Sequence, residues 1–399
     1  MNPMDNPFSP GAGSQPPELA GRASVLQDAR VALARLRLGR SAKSMILVGL
    51  RGVGKTVLLN RIRVDAESQG YKAEVVEVSE NKPLPELLIP HLRRILYSLD
   101  ALENVSEKVK RGLRVLGSFL HGFKAKIGDL EFQYGEDFER GSADSGDLEA
   151  DLGELLVAIG EAAADRNTAV LLCIDELQYI KEAELSALIM AIHRVTQRGL
   201  PLVMIAAGLP QILGLAGKSK SYAERLFEYP PVDKLSDEDA KDAILSPLLK
   251  QQVNATDEAL EEIIRKTHGY PYFLQQWGHE SWNVASGPTI TLDDIQMATA
   301  TAIKKLDQSF FRVRFDRLTP REKEYLRALA ALGHDPQRSG DIADKLKVRV
   351  QSVAPIRSAL IKKGMIYSPA HGDTAFTVPM FDEFMRRTMP DENPNELGA

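Results

Sequence analysis

Between an apolar stretch at 45–48 and a helical pattern ending near Gly70 lies Gly49-Leu-Arg-Gly-Val-Gly54-Lys55-Thr56. It matches G-x-x-x-x-G-K-[ST], and no other feature of the chain constrains its fold as strongly. The spacing requires a strand that stops, a loop whose glycines turn backbone N–H groups around phosphate oxygens, and a helix whose positive end faces the same anion. Lys55 would then reach the β- and γ-phosphates, and the Thr56 hydroxyl would bind Mg²⁺. The candidate cradle comprises Gly49, Gly52, Val53, Gly54, Lys55, Thr56 and Val57.

The sequence around this motif alternates between strand and helix. Residues 1–18 are rich in Pro, Gly, Ser and Asn and read as an irregular arm. Strands are expected at 45–48, 72–78, 169–174 and 202–207. Helices are expected over 24–38, 85–120, 147–164 and 181–198, with a hairpin at 123–134 and an acidic loop at 135–146. Such alternation implies a parallel sheet covered on both faces. The apolar run 170–174 delivers Asp175 and Glu176 to its C-terminal edge, where ligands bind in open α/β sheets. There Asp175 would hold the metal and Glu176 would polarise the attacking water. Cys173, on the same strand, reads as a small core residue.

After Pro230 the pattern becomes helix after helix, with hydroxyl caps at Ser236, Thr256 and Thr291, each followed by acids in the first turn. Thr319-Pro-Arg-Glu322 is the clearest start: a cap, a proline at the first helical position, and Glu three residues on. Helices at 319–333, 339–346 and 349–363, then two strands around a turn at 370–374, then an apolar helix at 380–387, have the order of a winged helix-turn-helix. Its third helix would enter the major groove. Arg349, Gln351, Ser352 and Arg357 are the candidate base readers, and Lys362 and Lys363 the candidate phosphate contacts. A winged helix that contacts protein remains the alternative.

Charge fits one basic module on an acidic body. The net charge is −5, yet residues 311–389 hold 15 Lys/Arg against 9 Asp/Glu. That argues against nucleic acid coating the whole surface. The 399 residues suggest two or three domains. An apolar fraction of 44% and a charged fraction of 26% exclude collagenous, coiled-coil and wholly disordered chains. One cysteine excludes an internal disulfide or a cysteine-rich zinc site. The chain has no signal-peptide pattern and no apolar run long enough to span a bilayer, so the cytoplasm is the expected compartment.

Together these residues resemble the AAA+ ATPases, and within them the initiator-like branch of origin-recognition and replication-initiator proteins, archaeal-type ATPases and STAND ATPases. The resemblance covers about residues 15–390. Besides the two nucleotide motifs it rests on Leu19-Ala-Gly-Arg22, Tyr222-Ala-Glu-Arg-Leu-Phe227, Gly269-Tyr-Pro-Tyr-Phe-Leu-Gln275 and the C-terminal module. It implies an irregular arm (1–22), a P-loop ATPase domain (23–230), a helical lid (231–308), a winged helix (309–390) and a flexible tail (391–399). It further implies ATP and Mg²⁺ as cofactors, duplex DNA and further copies or a partner protein as partners, Gly21 and Arg22 near the adenine, and Arg225 as an arginine finger. Two departures imply slow turnover. The strand at 203–207 ends in Ala-Ala-Gly without a polar phosphate sensor, and the Gly-Tyr-Pro segment carries no sensor arginine. His193 and Arg194 read as a solvated helix face, and His268 as a helix C-terminal histidine. The leading function is an ATPase that couples nucleotide state to assembly on DNA. The alternative is a slow nucleotide switch or scaffold.

Overall fold

A computed structural model describes residues 1–11, 13–100, 106–123, 138–220, 223–370 and 372–390. The hairpin expected at 123–134 lies outside the described residues except for Phe123, which ends a helix. The tail at 391–399, Tyr222 and His371 also lie outside them. Contacts divide the chain into two units, one of Arg22–Gly49 and Lys55–Val232, the other of Met1–Gly21, Leu50–Gly54 and Asp233–Ala399.

The first unit is built on a parallel sheet. Its elements run α1 (Ala23–Arg37), β1 (Ser44–Val48), α2 (Lys55–Ser68), β2 (Lys72–Glu77), α3 (Leu84–Asp100), α4 (Glu107–Phe123), α5 (Leu148–Asp165) and β3 (Val170–Asp175). They continue as α6 (Glu182–Gln197), β4 (Leu202–Gly208), α7 (Gln211–Ser219), α8 (Ala223–Leu226) and β5 (Phe227–Glu228). The strand order is β2-β3-β4-β1-β5, so β4 lies between the two strands that carry the motifs. Every pairing is parallel. Ile174 pairs with Ala206 and Val48 with Gly208, which brings β3, β4 and β1 to one C-terminal edge.

β3 and β4 are buried at every position, because helices cover both faces of a parallel sheet and leave no side for polar residues. Leu172, Ile174 and Met204 share a core with Leu155 and Ile159 of α5 and Leu188 and Ile192 of α6. Burying each such side chain contributes about 1.5–3 kcal/mol. The helical stretch expected at 85–120 is two helices, α3 and α4.

The second unit is mostly helical. It contains α9 (Asp237–Lys250), β6 (Asn254–Ala255), α10 (Asp257–Thr267), α11 (Pro271–Val284), β7 (Thr289–Ile290) and α12 (Leu292–Leu306). A π-helical turn, Asp307–Phe311, leads to α13 (Arg312–Phe315) and α14 (Pro320–Ala331). Then follow β8 (Gln337–Arg338), α15 (Ser339–Lys345), α16 (Val350–Lys362), β9 (Ile366–Tyr367), β10 (Asp373–Phe376) and α17 (Phe381–Thr388). β10 pairs antiparallel with both β8 and β9.

The four hydroxyl caps form as their sequences dictate. Ser236, Thr256, Thr291 and Thr319 each accept a backbone N–H three residues on, at 3.1–3.4 Å. One apolar core runs from Phe8 through Trp277 and Phe311 to Phe384. The N-terminal arm belongs to it. Phe8 is buried, Asn6 donates to the His279 carbonyl, and the Trp282 indole donates to the Asn2 carbonyl. Leu50–Gly54 groups with this unit through bonds from Tyr272 N–H to the Gly52 carbonyl (3.1 Å) and from Arg51 N–H to the Thr377 carbonyl (3.0 Å). No helix among the described residues is long and apolar enough to cross a membrane.

Candidate nucleotide site

β1 ends where Gly49 N–H donates to the Gly208 carbonyl at 3.2 Å, and the loop begins there. Gly52 and Gly54 have φ of 79° and 90°, left-handed values that a side chain would strain. The loop therefore turns as the motif requires, and α2 starts at Lys55 with Val57 in its first turn. The Lys55 ammonium donates to the Gly49 carbonyl at 2.9 Å, so the cation is held by the loop it serves.

β3 supplies the other half. The Thr56 hydroxyl donates to Asp175 Oδ2 at 2.6 Å, and Glu176 N–H donates to Asp175 Oδ1 at 2.8 Å. Asp175 is only 4% exposed. Burial pushes its carboxyl above the ordinary range, while the Thr56 and Glu176 bonds pull it back. A hydroxyl and a buried carboxylate in contact are hard oxygen donors, and they fit Mg²⁺. That ion needs only one or two protein oxygens once phosphates supply others. Among the described residues no cluster of three His, Cys, Asp or Glu side chains could hold a metal.

Glu176 is half-buried and left-handed, with φ 54° and ψ 37°, a backbone rarely adopted by a residue with a side chain. It precedes the 3₁₀ turn Leu177–Tyr179. Gln178 on that turn donates its amide to Glu176 Oε2 and accepts Leu209 N–H at 3.0 Å. Sequence reasoning missed Gln178. Its partners come from the end of β3 and from just beyond β4, strands that meet only in the fold. The available signal was a polar residue two positions after Asp-Glu, beside a β4 end that lacks one.

Residues 18–205 match the model of the AAA ATPase domain, and that span holds the loop, Lys55, Thr56, Asp175 and Glu176. Residues 308–385 match a domain of unknown function (DUF8462). Over 92% of this chain and 96% of the other, the structure resembles the Walker-type ATPase of Pyrococcus abyssi, with 15% identity and a TM-score of 0.55, which is a likeness of fold. The Orc1 protein of Aeropyrum pernix in complex with DNA aligns at 14% identity over 93% of this chain and 94% of that one, with a TM-score of 0.46. The RuvB Holliday junction branch migration motor of Thermotoga maritima aligns at 15% identity over 96% of this chain and all (100%) of the other, also with a TM-score of 0.46. No curated protein matches the sequence.

The remaining candidates are placed as follows. Arg22 precedes α1 without a side-chain cap bond. Gly21 has φ 66°, a left-handed backbone that strains any side chain, and a Cβ there would sit 2.7 Å from Asp239 Oδ2. Arg225 is exposed on α8. Arg194, with its side chain 41% exposed, binds Glu154 of α5 at 3.0 Å. His193 is half-buried on α6 beside it. His268 is exposed and left-handed at the end of α10. Cys173 is buried, and burial pushes its thiol up to about 12, which suits an inert core residue.

On α16 the candidates split. Arg349, Gln351, Ser352 and Lys362 are exposed, the first three at or just before its N-terminal turn. Arg357 is not available to read bases. Its guanidinium binds Thr374 Oγ1, Ser368 Oγ and the Asp373 carbonyl, each at 2.8 Å, and ties α16 to β10. Lys363 is already engaged within the fold, where it binds Glu322 at 2.7 Å and the Arg317 carbonyl at 3.2 Å.

Proposed function

We propose that this chain hydrolyses ATP and couples its nucleotide state to assembly on duplex DNA. One observation carries the first half: Thr56 and Asp175, brought from elements 119 residues apart, meet at 2.6 Å beside a loop that anchors Lys55. In this reading Lys55 exchanges the Gly49 carbonyl for β- and γ-phosphate oxygens. Thr56 and Asp175 hold Mg²⁺, which neutralises phosphate charge when bound. Glu176 accepts the proton of the attacking water. β4 ends in Ala206-Ala207-Gly208, so it offers the γ-phosphate no polar side chain, and turnover is slow. Arg225, exposed on α8, is the residue proposed to supply that charge to a neighbouring copy. A cytoplasmic compartment accompanies this reading.

The second half rests on the C-terminal module. Three helices and an antiparallel hairpin in this order support a winged helix, and the exposed Arg349, Gln351 and Ser352 stand where a recognition helix meets base edges. Lys362 is the phosphate contact. The test is a salt titration of duplex binding in the ATP-bound state. Arg349→Ala with Lys362→Ala should weaken binding and flatten its salt dependence by about 0.9 for each phosphate no longer neutralised. Equal affinity and slope in parent and variant would contradict it.

A second reading has its own support. Val348 and Val350 flank Arg349 at 45% and 47% exposure, and Arg357 and Lys363 are engaged internally. That surface suits a protein partner, with ATP as a slow switch. Tight ATP retention without duplex binding at low salt favours it.

A further inference from the structure

β4 ends without a polar side chain, yet a polar group does stand at its edge. We infer that Gln178 is the positioning residue for hydrolysis, holding the Glu176 carboxylate between the ends of β3 and β4. This rests on Glu176 being the base. The Gln178 amide is oriented by its partners, because only its oxygen accepts the Leu209 N–H, at 3.0 Å. Its nitrogen must then face Glu176, to which it donates. The amide cannot rotate without leaving Leu209, itself 1% exposed, with an unpaired N–H.

The turn that carries Gln178 is equally constrained. Leu177 is fully buried, Tyr179 N–H returns to the Glu176 carbonyl at 3.0 Å, and Ile180 N–H returns to Leu177. A Cβ at Gly208 would lie 3.4 Å from Gln178 Oε1, so the amide packs directly on the strand end. Glu176 thus has a left-handed backbone fixed by the turn and a carboxylate fixed by an amide. That amide is borne by β3's own turn, and it supplies the polar group that β4 lacks.

The test uses the full chain with Gln178→Ala and Gln178→Glu. Gln178→Glu keeps an oxygen for the Leu209 N–H but replaces the donor to Glu176 with a second carboxylate, whose charge repels it. Both should lower kcat for Mg²⁺-ATP hydrolysis about 10²-fold, the usual cost of a misplaced catalytic group, with KM and calorimetric ATP affinity unchanged. In a Glu176→Gln background, Gln178→Ala should add no further loss in single turnover, since its effect passes through Glu176. With a parent that hydrolyses ATP, an unchanged or raised kcat overturns the inference. So does a fully additive loss accompanied by weaker ATP binding. A parent without turnover overturns the Glu176 assignment and this inference with it, which separates the two failures.

Discussion

In the proposed function, Lys55 is the residue on which nucleotide binding turns. Its ammonium already lies within the loop, 2.9 Å from the Gly49 carbonyl, so reaching phosphate exchanges one oxygen partner for others of higher charge. Lys55→Ala should lower ATP affinity about 10- to 100-fold, the range expected when a charge-assisted bond is removed. Calorimetry measures this, and an unchanged affinity would remove the loop from the binding site. Residues of this kind are legible in sequence because contiguity alone sets their placement: Gly49 to Thr56 run from a strand end into a helix start, and Asp175 and Glu176 lie at and just past the end of β3. Gln178 was not legible, because its meaning depends on Leu209, 31 residues away and just beyond the next strand. The internal partners of Arg357 and Lys363 were hidden for the same reason, since they lie up to 17 and 46 residues away.

At the scale of elements, capping chemistry made the helix starts readable, because a cap bonds only three residues ahead. Thr319 and Glu322 form the reciprocal box, with Thr319 N–H to Glu322 at 2.7 Å. Glu322 also receives Lys363 from the end of α16. Burial pushes the Glu322 carboxyl up, but its bonds to Lys363 and Thr319 outweigh burial and leave it below the ordinary carboxylate value. A carboxyl lowered on folding stabilises above its ordinary pKa, and the contribution is lost as pH falls through the folded value. Glu322→Gln should therefore destabilise the chain by about 1–2 kcal/mol at neutral pH and by progressively less towards acid. Denaturant melts at several pH values check this, and a pH-independent difference would contradict it. Two-residue strands such as β5 and β8 escaped the sequence reading, since so short a run carries no periodicity.

At the scale of the whole molecule, the parallel order β2-β3-β4-β1-β5 sets the P-loop strand and the Asp-Glu strand on either side of β4, with their C-terminal ends at one edge. Strand–helix alternation foretold such a sheet, whereas the burial of Phe8 in the helical unit's core carried no local signal. If Arg225 completes the site of a neighbouring copy, the rate per chain should rise with protein concentration. A flat rate would remove Arg225 from the chemistry. The central claim is that this loop and this acidic strand end hydrolyse ATP, and the most direct measurement compares Mg²⁺-ATP turnover in the parent and in Glu176→Gln. The parent should release phosphate, and Glu176→Gln should bind ATP as the parent does while its turnover falls at least about 10²-fold, the lower bound for losing a general base. A parent without turnover, or a variant that hydrolyses at the parental rate, would contradict the account.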